Sequence, residues 1–188
     1  VTFGGAYAVL AMRSVRAVTV KYGNKNHEAP VVVGASENYA ETWNWPLVEG
    51  RDLSEDDVKY GAKVALIGDV PAKELFGEAS PVGRTVLVKN LPVQIVGRLA
   101  YRGFTGGGSD VSVDDRLIMP ISTLTQRFNL DRSYFRGLRV RFIDPELIDA
   151  YRDNLRTLLR HQHKLAPTAP DDFTIISASE VLKFLTAF

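Results

Sequence analysis

The sequence predicts an α+β protein in which strands and helices are mixed along the chain. Several segments alternate apolar and polar residues as strands do, others space their apolar residues as helices do, and tight-turn sequences join neighbouring strands into hairpins. The composition is that of an ordinary globular protein, with 45% hydrophobic and 24% charged residues. Antiparallel or mixed sheets follow from the number of hairpins.

The first quarter of the chain is predicted to contain a helix, a hairpin and a second helix. Residues 5–14 form the first helix. The hairpin consists of an alternating strand over 18–22, the turn GNKN and a return strand over 30–34. Residues 36–45, SENYAETWNW, form the second helix with Ser36 as its N-cap.

The middle of the chain is predicted to consist of short elements. Ser54 is the N-cap of a helix whose acidic first turn suits the helix dipole. A buried-type strand over 62–69 leads into a short helix that Gly77 ends in the left-handed conformation. Residues 84–100 then form a hairpin that turns near 89–91. Its inner face is predicted to consist of Val86, Val88, Val93 and Ile95.

The last third pairs strands with longer helices. DRLIMP at 115–120 is a strand, and its final proline starts a helix. A second strand covers 134–143, has one solvated basic face and is interrupted at Gly137. The clearest helix follows, capped by Asp144, with an apolar stripe of Leu147, Ile148, Tyr151, Leu155, Leu158 and Leu159.

The chain is predicted to finish with a strand and a helix. DFTIIS at 172–177 is the last strand. Ser177 and Glu180 form a capping-box pattern for the final helix.

The stretch GEASPVGRT at 77–85 resembles a phosphate-binding loop, which is written G-x-x-x-x-G-K-[ST]. However, five residues separate Gly77 from Gly83, and arginine stands at the lysine position. A helix precedes the stretch and a strand follows it, which reverses the order that points a helix N-terminus at a phosphate. We therefore interpret the stretch as a helix-to-strand connection and assign no nucleotide site to it.

Composition argues against several classes of site. The net charge of +1 gives no electrostatic footprint for nucleic acid, and the absence of cysteine excludes thiol chemistry, cysteine-ligated zinc and disulfides. His161 and His163 lie on different faces of a helix, and His27 is predicted to be solvated. Asp110, Asp114 and Asp115 do not fit a calcium loop, and we predict a mobile surface loop there.

No catalytic, cofactor-binding or metal-binding residue is therefore assigned, and the chain is predicted not to be an enzyme. Tyr101, Arg102 and Phe104, in the loop YRGFTGGG, are predicted to contact a partner protein, because loops carry function more often than cores do. A plain flexible loop is the alternative. Trp43 and Trp45 are predicted to be aromatic anchors in the core or at a subdomain junction.

Six short motifs follow one another between Val32 and Phe128. They are GR at 50–51, IG at 67–68, LFG at 75–77, PVGR at 81–84, VG at 96–97 and IMP at 118–120. In this order and spacing, the segment resembles the extracytoplasmic core domain of MacB-type ABC transporter permeases. The first thirty and the final sixty residues are similar to that family only in their order of elements.

The resemblance implies two lobes. Residues 1–50 and 116–188 would form a discontinuous porter-like α/β lobe, and residues 51–115 an inserted β-rich lobe. The change in composition agrees, because short strands and turns dominate from about Arg51 to Asp115.

The resemblance also implies a function. The domain would lie in the periplasm, anchored to the cytoplasmic membrane through its parent chain, and would couple ATP-driven movement to export or extraction of a substrate. ATP hydrolysis would belong to a separate domain or subunit. A periplasmic adaptor or a cargo protein would be the partner. The full-length membrane protein would be a homodimer or heterodimer, and the isolated fragment a monomer.

A freestanding periplasmic domain that binds a ligand or peptide is the alternative function. The sequence opens on VTFGGAYAVLAM without an initiator methionine and closes on SASEVLKFLTAF, an apolar helix. These ends favour a fragment of a longer chain with Phe188 near a membrane helix, while docking of the last helix on the core is the other interpretation.

Overall fold

The computed structural model describes residues 6–103, 112–130, 137–177 and 180. Contacts divide the chain into two units, one formed by Val9–Val140 and the other by Val1–Ala8 with Arg141–Phe188. These boundaries differ from those of the two predicted lobes, which divide the chain at residues 51 and 115. The two lobes stay a prediction. No helix in the described part of the chain is both long and apolar enough to cross a membrane.

Both strands and helices are present, and the α+β class is confirmed. The strands are β1 Ala6–Tyr22, β2 Lys25–Ala35, β3 Leu47–Gly50, β4 Val64–Ile67, β5 Thr85–Val88, β6 Leu91–Leu99, β7 Arg116–Pro120 and β8 Gly137–Phe142. The helices are α1 Tyr39–Thr42, α2 Glu55–Lys59, α3 Asp69–Phe76, α4 Ile121–Arg127 and α5 Ile148–Gln162, with a 3₁₀ turn at Pro145–Leu147.

The sheet closes on itself within the larger unit. The hydrogen-bonded order runs from β2 through β7, β4, β6 and β5 to β1, and β1 also pairs with β2. Strand β3 is added to β6, and β8 follows β1 in the order. The pairs β2–β7 and β4–β6 are parallel, whereas β1–β2, β1–β5, β3–β6, β4–β7 and β5–β6 are antiparallel. The predicted mixed sheet is therefore confirmed.

The buried apolar side chains of the larger unit form two clusters. Along β7, Leu117 and Met119 belong to one cluster and Ile118 to the other. Because successive strand residues point to opposite faces, the clusters lie on the two faces of the sheet. The first cluster contains the predicted inner face of the β5–β6 hairpin, which is fully buried: Val86, Val88, Val93 and Ile95.

The predicted helix over 5–14 is wrong, because β1 already begins at Ala6. Met12 pairs with Ala35 and Ser14 with Val33 in an antiparallel ladder to β2. A helix of about ten residues is marginal in isolation, so hydrogen bonding to a long neighbouring strand decides the conformation. The predicted first hairpin is confirmed, with a tighter turn than GNKN, since Tyr22 already pairs with Lys25.

The predicted helix over 36–45 is much shorter than expected. Helix α1 covers only Tyr39–Thr42, and its N-cap is Asn38 rather than Ser36. Ser36 instead exchanges hydrogen bonds with Ala11 of β1: the Ala11 amide donates to Ser36 Oγ at 3.1 Å, and the Ser36 amide donates to the Ala11 carbonyl at 3.0 Å. The serine therefore ties β1 to the end of β2.

The predicted elements between residues 54 and 100 are confirmed. Ser54 caps α2, and α3 ends at Gly77, which has a φ of +63°. The β5–β6 hairpin turns at Lys89 and Asn90, both with positive φ. The GEASPVGRT stretch connects the end of α3 to the start of β5, as predicted.

In the smaller unit, the Asp144 carboxylate accepts a hydrogen bond from the Glu146 amide at 2.9 Å, which confirms the predicted cap. The predicted capping box is also present: the Ser177 amide donates to Glu180 Oε2 at 2.9 Å, and the Glu180 amide to Ser177 Oγ at 3.2 Å. The rest of the predicted final helix lies outside the described residues.

The predicted strand over 172–177 is wrong, because this segment forms no strand. Side chains hold the neighbouring residues to α5 instead of a ladder of backbone hydrogen bonds. Asp171 accepts from Arg156 Nε at 2.6 Å and from Arg160, and Asp172 lies 2.7 Å from His163 Nδ1.

Candidate functional site

Two of the three residues predicted to contact a partner open the loop after β6. Tyr101 is 66% exposed, and the ammonium of Lys73 lies 5.6 Å from the centre of its ring. Arg102 is also exposed. Phe104 lies outside the described residues. The exposed aromatic ring and the adjacent guanidinium are side chains of the kinds enriched at protein interfaces.

A buried carboxylate fixes the base of this loop. The backbone amides of Arg102 and Gly103 each donate to the side chain of Asp114 at 2.8 Å. The Asp114 amide donates to Ser112 Oγ at 3.1 Å, and Asp114 itself is fully buried. The prediction of a surface position is therefore wrong at Asp114, because its buried carboxylate accepts hydrogen bonds from backbone amides.

The two tryptophans lie beside the same loop base. Trp45 is 3% exposed, and its Nε1 donates to the carbonyl of Ala100 at 2.6 Å, which confirms its predicted place in the core. The guanidinium of Arg102 stacks over Trp45, with 4.5 Å between its central carbon and the ring centre. Its Nη2 also donates to the carbonyls of Trp43 and Asn44, at 2.9 and 2.7 Å.

Two further arginines approach the same indoles. The central guanidinium carbon of Arg139 lies 3.8 Å from the ring centre of Trp43, and that of Arg116 lies 5.8 Å from the ring centre of Trp45. We call Trp43, Trp45, Arg102, Arg116 and Arg139 the arginine–tryptophan cluster. All five belong to the larger unit. Stacking of this kind lets a guanidinium bind an aromatic face while its N–H groups stay available at the edge.

Tyr39 lies within the electrostatic reach of all three arginines. Burial raises the pKa of the Tyr39 phenol, and it outweighs the opposing effects of Arg116, Arg102 and Arg139. Arg116 has the largest of these opposing effects on the pKa of Tyr39. Tyr39 is therefore neutral at physiological pH and supplies no negative charge to the cluster.

The arginines of the cluster were only partly predictable. The tryptophans and Arg102 were singled out from sequence, but Arg139 was assigned to the solvated face of β8 and Arg116 to no role. One feature could have suggested that Arg102 and Arg116 lie close together. Arg102 follows β6 and Arg116 begins β7, and both strands pair with β4.

A second group of charges lies on the helix that faces Tyr101. Asp69 at the start of α3 binds Lys73 and Arg98, each at 2.8 Å. Burial alone would raise the pKa of Asp69, but the hydrogen bonds and charges of Lys73 and Arg98 outweigh it and lower the pKa. Asp69 is therefore ionised, and its single negative charge is shared by the two positive charges of Lys73 and Arg98.

Two of the three histidines are paired with carboxylates. His27 was predicted to be solvated, but its side chain is 13% exposed and its Nε2 lies 2.6 Å from Asp115 Oδ1. His163 pairs with Asp172 at 2.7 Å. Across residues 6–103, 112–130, 137–177 and 180, no three His, Asp or Glu side chains are grouped to hold a metal.

An open cleft of about 230 Å³ lies between the turn of the first hairpin and the GEASPVGRT connection. Its floor contains Tyr22 and Phe76, whose rings are 4.4 Å apart, and Lys25 and Arg84 stand among its lining residues. Helix α3 reaches the cleft with its C-terminal end. The geometry agrees with the interpretation of GEASPVGRT as a connection.

The motif residues at 50–51 and 96–97 are in direct contact. Gly50 pairs with Gly97, and the Arg51 amide donates to the Val96 carbonyl at 2.9 Å. The Arg51 guanidinium then donates to Asp57 at 2.6 and 3.2 Å. Two motifs that are far apart in sequence therefore form one structural joint between β3, β6 and α2.

A family model described as the MacB-like periplasmic core domain matches residues 5–158. The pyoverdine export ATP-binding/permease protein PvdT of Pseudomonas syringae pv. syringae is 36% identical over 146 residues, which are 77% of this chain and 22% of that protein. The macrolide export ATP-binding/permease protein MacB of Wolinella succinogenes is 29% identical over 171 residues, which are 91% of this chain and 25% of that protein. The chain thus spans a quarter or less of the length of these relatives.

Two solved structures share the fold. The periplasmic region of MacB from Actinobacillus actinomycetemcomitans has a TM-score of 0.79 and 21% identity, and the match covers 98% of this chain and 78% of that one. The extracellular domain of the noncanonic ABC-type transporter YknZ from Gram-positive bacteria has a TM-score of 0.68 and 20% identity. This match covers 86% of this chain and 79% of that one.

Proposed function

Because this chain belongs to the family of MacB-like periplasmic core domains, we propose that it is the extracytoplasmic domain of an ABC exporter permease. The family match over residues 5–158 carries the proposal, since it includes both the closed sheet and most of α5. The domain would lie in the periplasm, on the outer side of the cytoplasmic membrane. The parent chain would export a small molecule, as the names of the relatives say of those proteins.

The role of the domain would be mechanical rather than catalytic. ATP hydrolysis would take place in a separate domain or subunit, and this chain would pass the resulting movement to partner proteins. The closed sheet supports such a role, because six strands joined in a ring resist deformation more than an open sheet with free edges. The parent would act as a homodimer or heterodimer, and the isolated chain would be a monomer.

Tyr101, Arg102 and Phe104 would contact a periplasmic adaptor or a cargo protein. Tyr101 is 66% exposed although it is a large aromatic side chain, and Asp114 holds the backbone beneath it. A rigidly supported, exposed ring is the kind of anchor that dominates the energy of many protein interfaces.

Substitution of Tyr101 in the full-length transporter tests the proposal. We expect Tyr101→Ala to lower export by about tenfold, since loss of an interface anchor costs on the order of 2 kcal/mol, while ATP hydrolysis stays within about twofold. Export is measured as transport of a reporter compound by cells, and ATPase activity on the purified transporter. Tyr60→Ala is the matched control, because Tyr60 is 72% exposed and its ring likewise lies near a lysine, 5.3 Å from Lys59 Nζ.

Equal loss of export in Tyr60→Ala would contradict a specific contact at Tyr101. Loss of ATP hydrolysis together with export in Tyr101→Ala would contradict the separation of coupling from catalysis. A parent gene without membrane segments would replace the whole proposal with that of a freestanding binding domain.

A further inference from the structure

The arginine–tryptophan cluster presents hydrogen-bond donors and lacks matching acceptors. Trp43 Nε1 and Arg116 Nε are buried nitrogens that find no acceptor in the described part of the chain. Arg102 uses its Nη2 for the carbonyls of Trp43 and Asn44, which leaves its other N–H groups at the face of Trp45. Buried donors without acceptors are uncommon in native proteins and call for an explanation.

Two arginines of the cluster, Arg102 and Arg116, also carry positive charge in this site. Among the described residues, Arg102 and Arg116 form no salt bridge with an aspartate or glutamate. Two carboxylates that are close to Arg116 in sequence have other partners, since Asp114 accepts from backbone amides and Asp115 binds His27. The guanidinium of the half-buried Arg116 lies near the neutral phenol of Tyr39 and the ring of Trp45.

An external anion would resolve both features. A guanidinium in a partly desolvated site is costly without a counter-charge, and its planar set of N–H groups matches carboxylate and phosphate oxygens. We propose that the arginine–tryptophan cluster is a binding site for an oxyanion, either a carboxylate or a phosphate group. The site goes beyond the proposed function, because it requires neither a transporter nor the contact at Tyr101.

The geometry favours a molecule that carries more than one charged group. Arg139 stacks on Trp43, whereas Arg102 and Arg116 approach Trp45, so the charges are distributed over two indoles. A polycarboxylate or an acidic peptide offers several carboxylates to these arginines, whereas inorganic phosphate offers a single anionic group. We therefore expect tighter binding of citrate and of a tetraglutamate peptide than of inorganic phosphate.

Intrinsic fluorescence gives a local measurement of this site. The chain has two tryptophans, and both belong to the cluster. The purified chain is titrated with inorganic phosphate, with citrate and with tetraglutamate peptide, each against sodium chloride at the same ionic strength. We expect a saturable change in tryptophan emission with citrate or peptide that sodium chloride does not reproduce.

Two variants connect the signal to the arginines. Arg102→Gln and Arg139→Gln are each expected to weaken citrate or peptide binding by about tenfold, the effect of one lost charge-assisted hydrogen bond. Circular dichroism and thermal unfolding check that each variant folds. Arg84→Gln is the matched control, because Arg84 is exposed and distant from the tryptophans. The Arg84 carbonyl accepts a hydrogen bond from the Ile95 amide, and Trp45 donates to the carbonyl of Ala100. Five residues of extended chain, about 16 Å, separate Ile95 from Ala100.

The outcomes separate the possible sources of the anion. Saturation by tetraglutamate alone supports an acidic segment of a protein, saturation by citrate supports a free polycarboxylate, and saturation by phosphate supports a phosphate group. Emission changes that sodium chloride reproduces, or that survive unchanged in both Arg102→Gln and Arg139→Gln, would overturn the proposal. None of these results depends on export, so failure of the transport experiment leaves this test intact.

Discussion

At the scale of single residues, two glycines allow the backbones of β3 and β6 to approach each other closely. Gly50 has a φ of +82°, and a Cβ atom on it would overlap the carbonyl oxygen of Val96. A Cβ on Gly97 would overlap the carbonyl oxygen of Arg51. These two glycines give the GR and VG motifs a structural reason. A side chain at either position would hold β3 and β6 apart.

Gly50→Ala is therefore expected to lower the free energy of unfolding by about 3 kcal/mol, since strain at positive φ adds to the overlap with Val96. Urea unfolding followed by circular dichroism measures the change. Gly23→Ala is the control, because Gly23 has a similar φ of +58° and open space around its Cβ position. It should cost only the conformational strain, about 1 kcal/mol. Equal losses in both variants would show that packing against β6 contributes nothing.

Residue roles were predictable where the partner is close in sequence. The caps at Ser54, Gly77 and Ser177 were predicted because capping is a local interaction. The roles of Ser36 and His27 were not, because their partners are 25 and 88 residues away. Arg102 was found for its position in a loop, whereas its stacking on Trp45 depends on the fold.

At the scale of elements, helix α2 depends on one carboxylate. Asp57 accepts from the Ser54 amide at 2.9 Å in the capping box and from both terminal nitrogens of Arg51. Burial alone would raise the pKa of Asp57, but the hydrogen bonds from Arg51 and Ser54 outweigh it and lower the pKa. The contribution of the ionised carboxylate to stability is thus complete above about pH 4 and declines as the pH falls through the lowered pKa.

Asp57→Asn should accordingly lower the free energy of unfolding by about 2 kcal/mol at neutral pH, because an amide cannot replace the charge toward Arg51. Its difference from the unmodified chain should shrink as the pH falls below about 4. Urea unfolding over a series of pH values gives both quantities. Asp56→Asn serves as the control, since Asp56 is an exposed residue in the first turn of the same helix. A difference that stays constant with pH would contradict the role of the ionised carboxylate.

The elements that were mispredicted are those that long-range pairing decides. Residues 6–14 have apolar side chains that suit a helix or a strand, and the ladder to β2 selects the strand. The apolar run DFTIIS forms no strand in the described structure, so its apolar residues alone did not decide its conformation. Between residues 54 and 100 the turn residues alone set the order of elements, and the predictions there are confirmed.

At the scale of the whole molecule, the two units differ in how much they bury. Every fully or nearly fully buried apolar side chain in the described residues lies between Leu10 and Leu124, inside the larger unit. Helix α5 of the smaller unit has no buried residue, and ion pairs to Asp171 and Glu180 provide many of its contacts. Apolar burial is the dominant stabilising contribution to a fold, so the larger unit should hold most of the stability.

A chain restricted to residues 9–140 is therefore expected to fold and to unfold cooperatively, since it retains all six strands of the ring. Residues 141–188 alone should show little stable structure. Urea unfolding and amide exchange of the two chains measure this. A shortened chain of 9–140 that is unfolded, beside a folded full-length chain, would contradict the assignment of stability to the larger unit.

The closed ring also determines the order of events while the chain folds. The parallel pairing of β2 with β7 joins positions about 85 residues apart, such as Val31 and Arg116. The hairpins β1–β2 and β5–β6 can form from neighbouring residues, but the ring is incomplete until this distant pair meets. Contacts of such high sequence separation slow folding, so closure is the late step. Until then the edge of β2 is open to strands of other chains, and the newly made protein is most prone to aggregate during that interval.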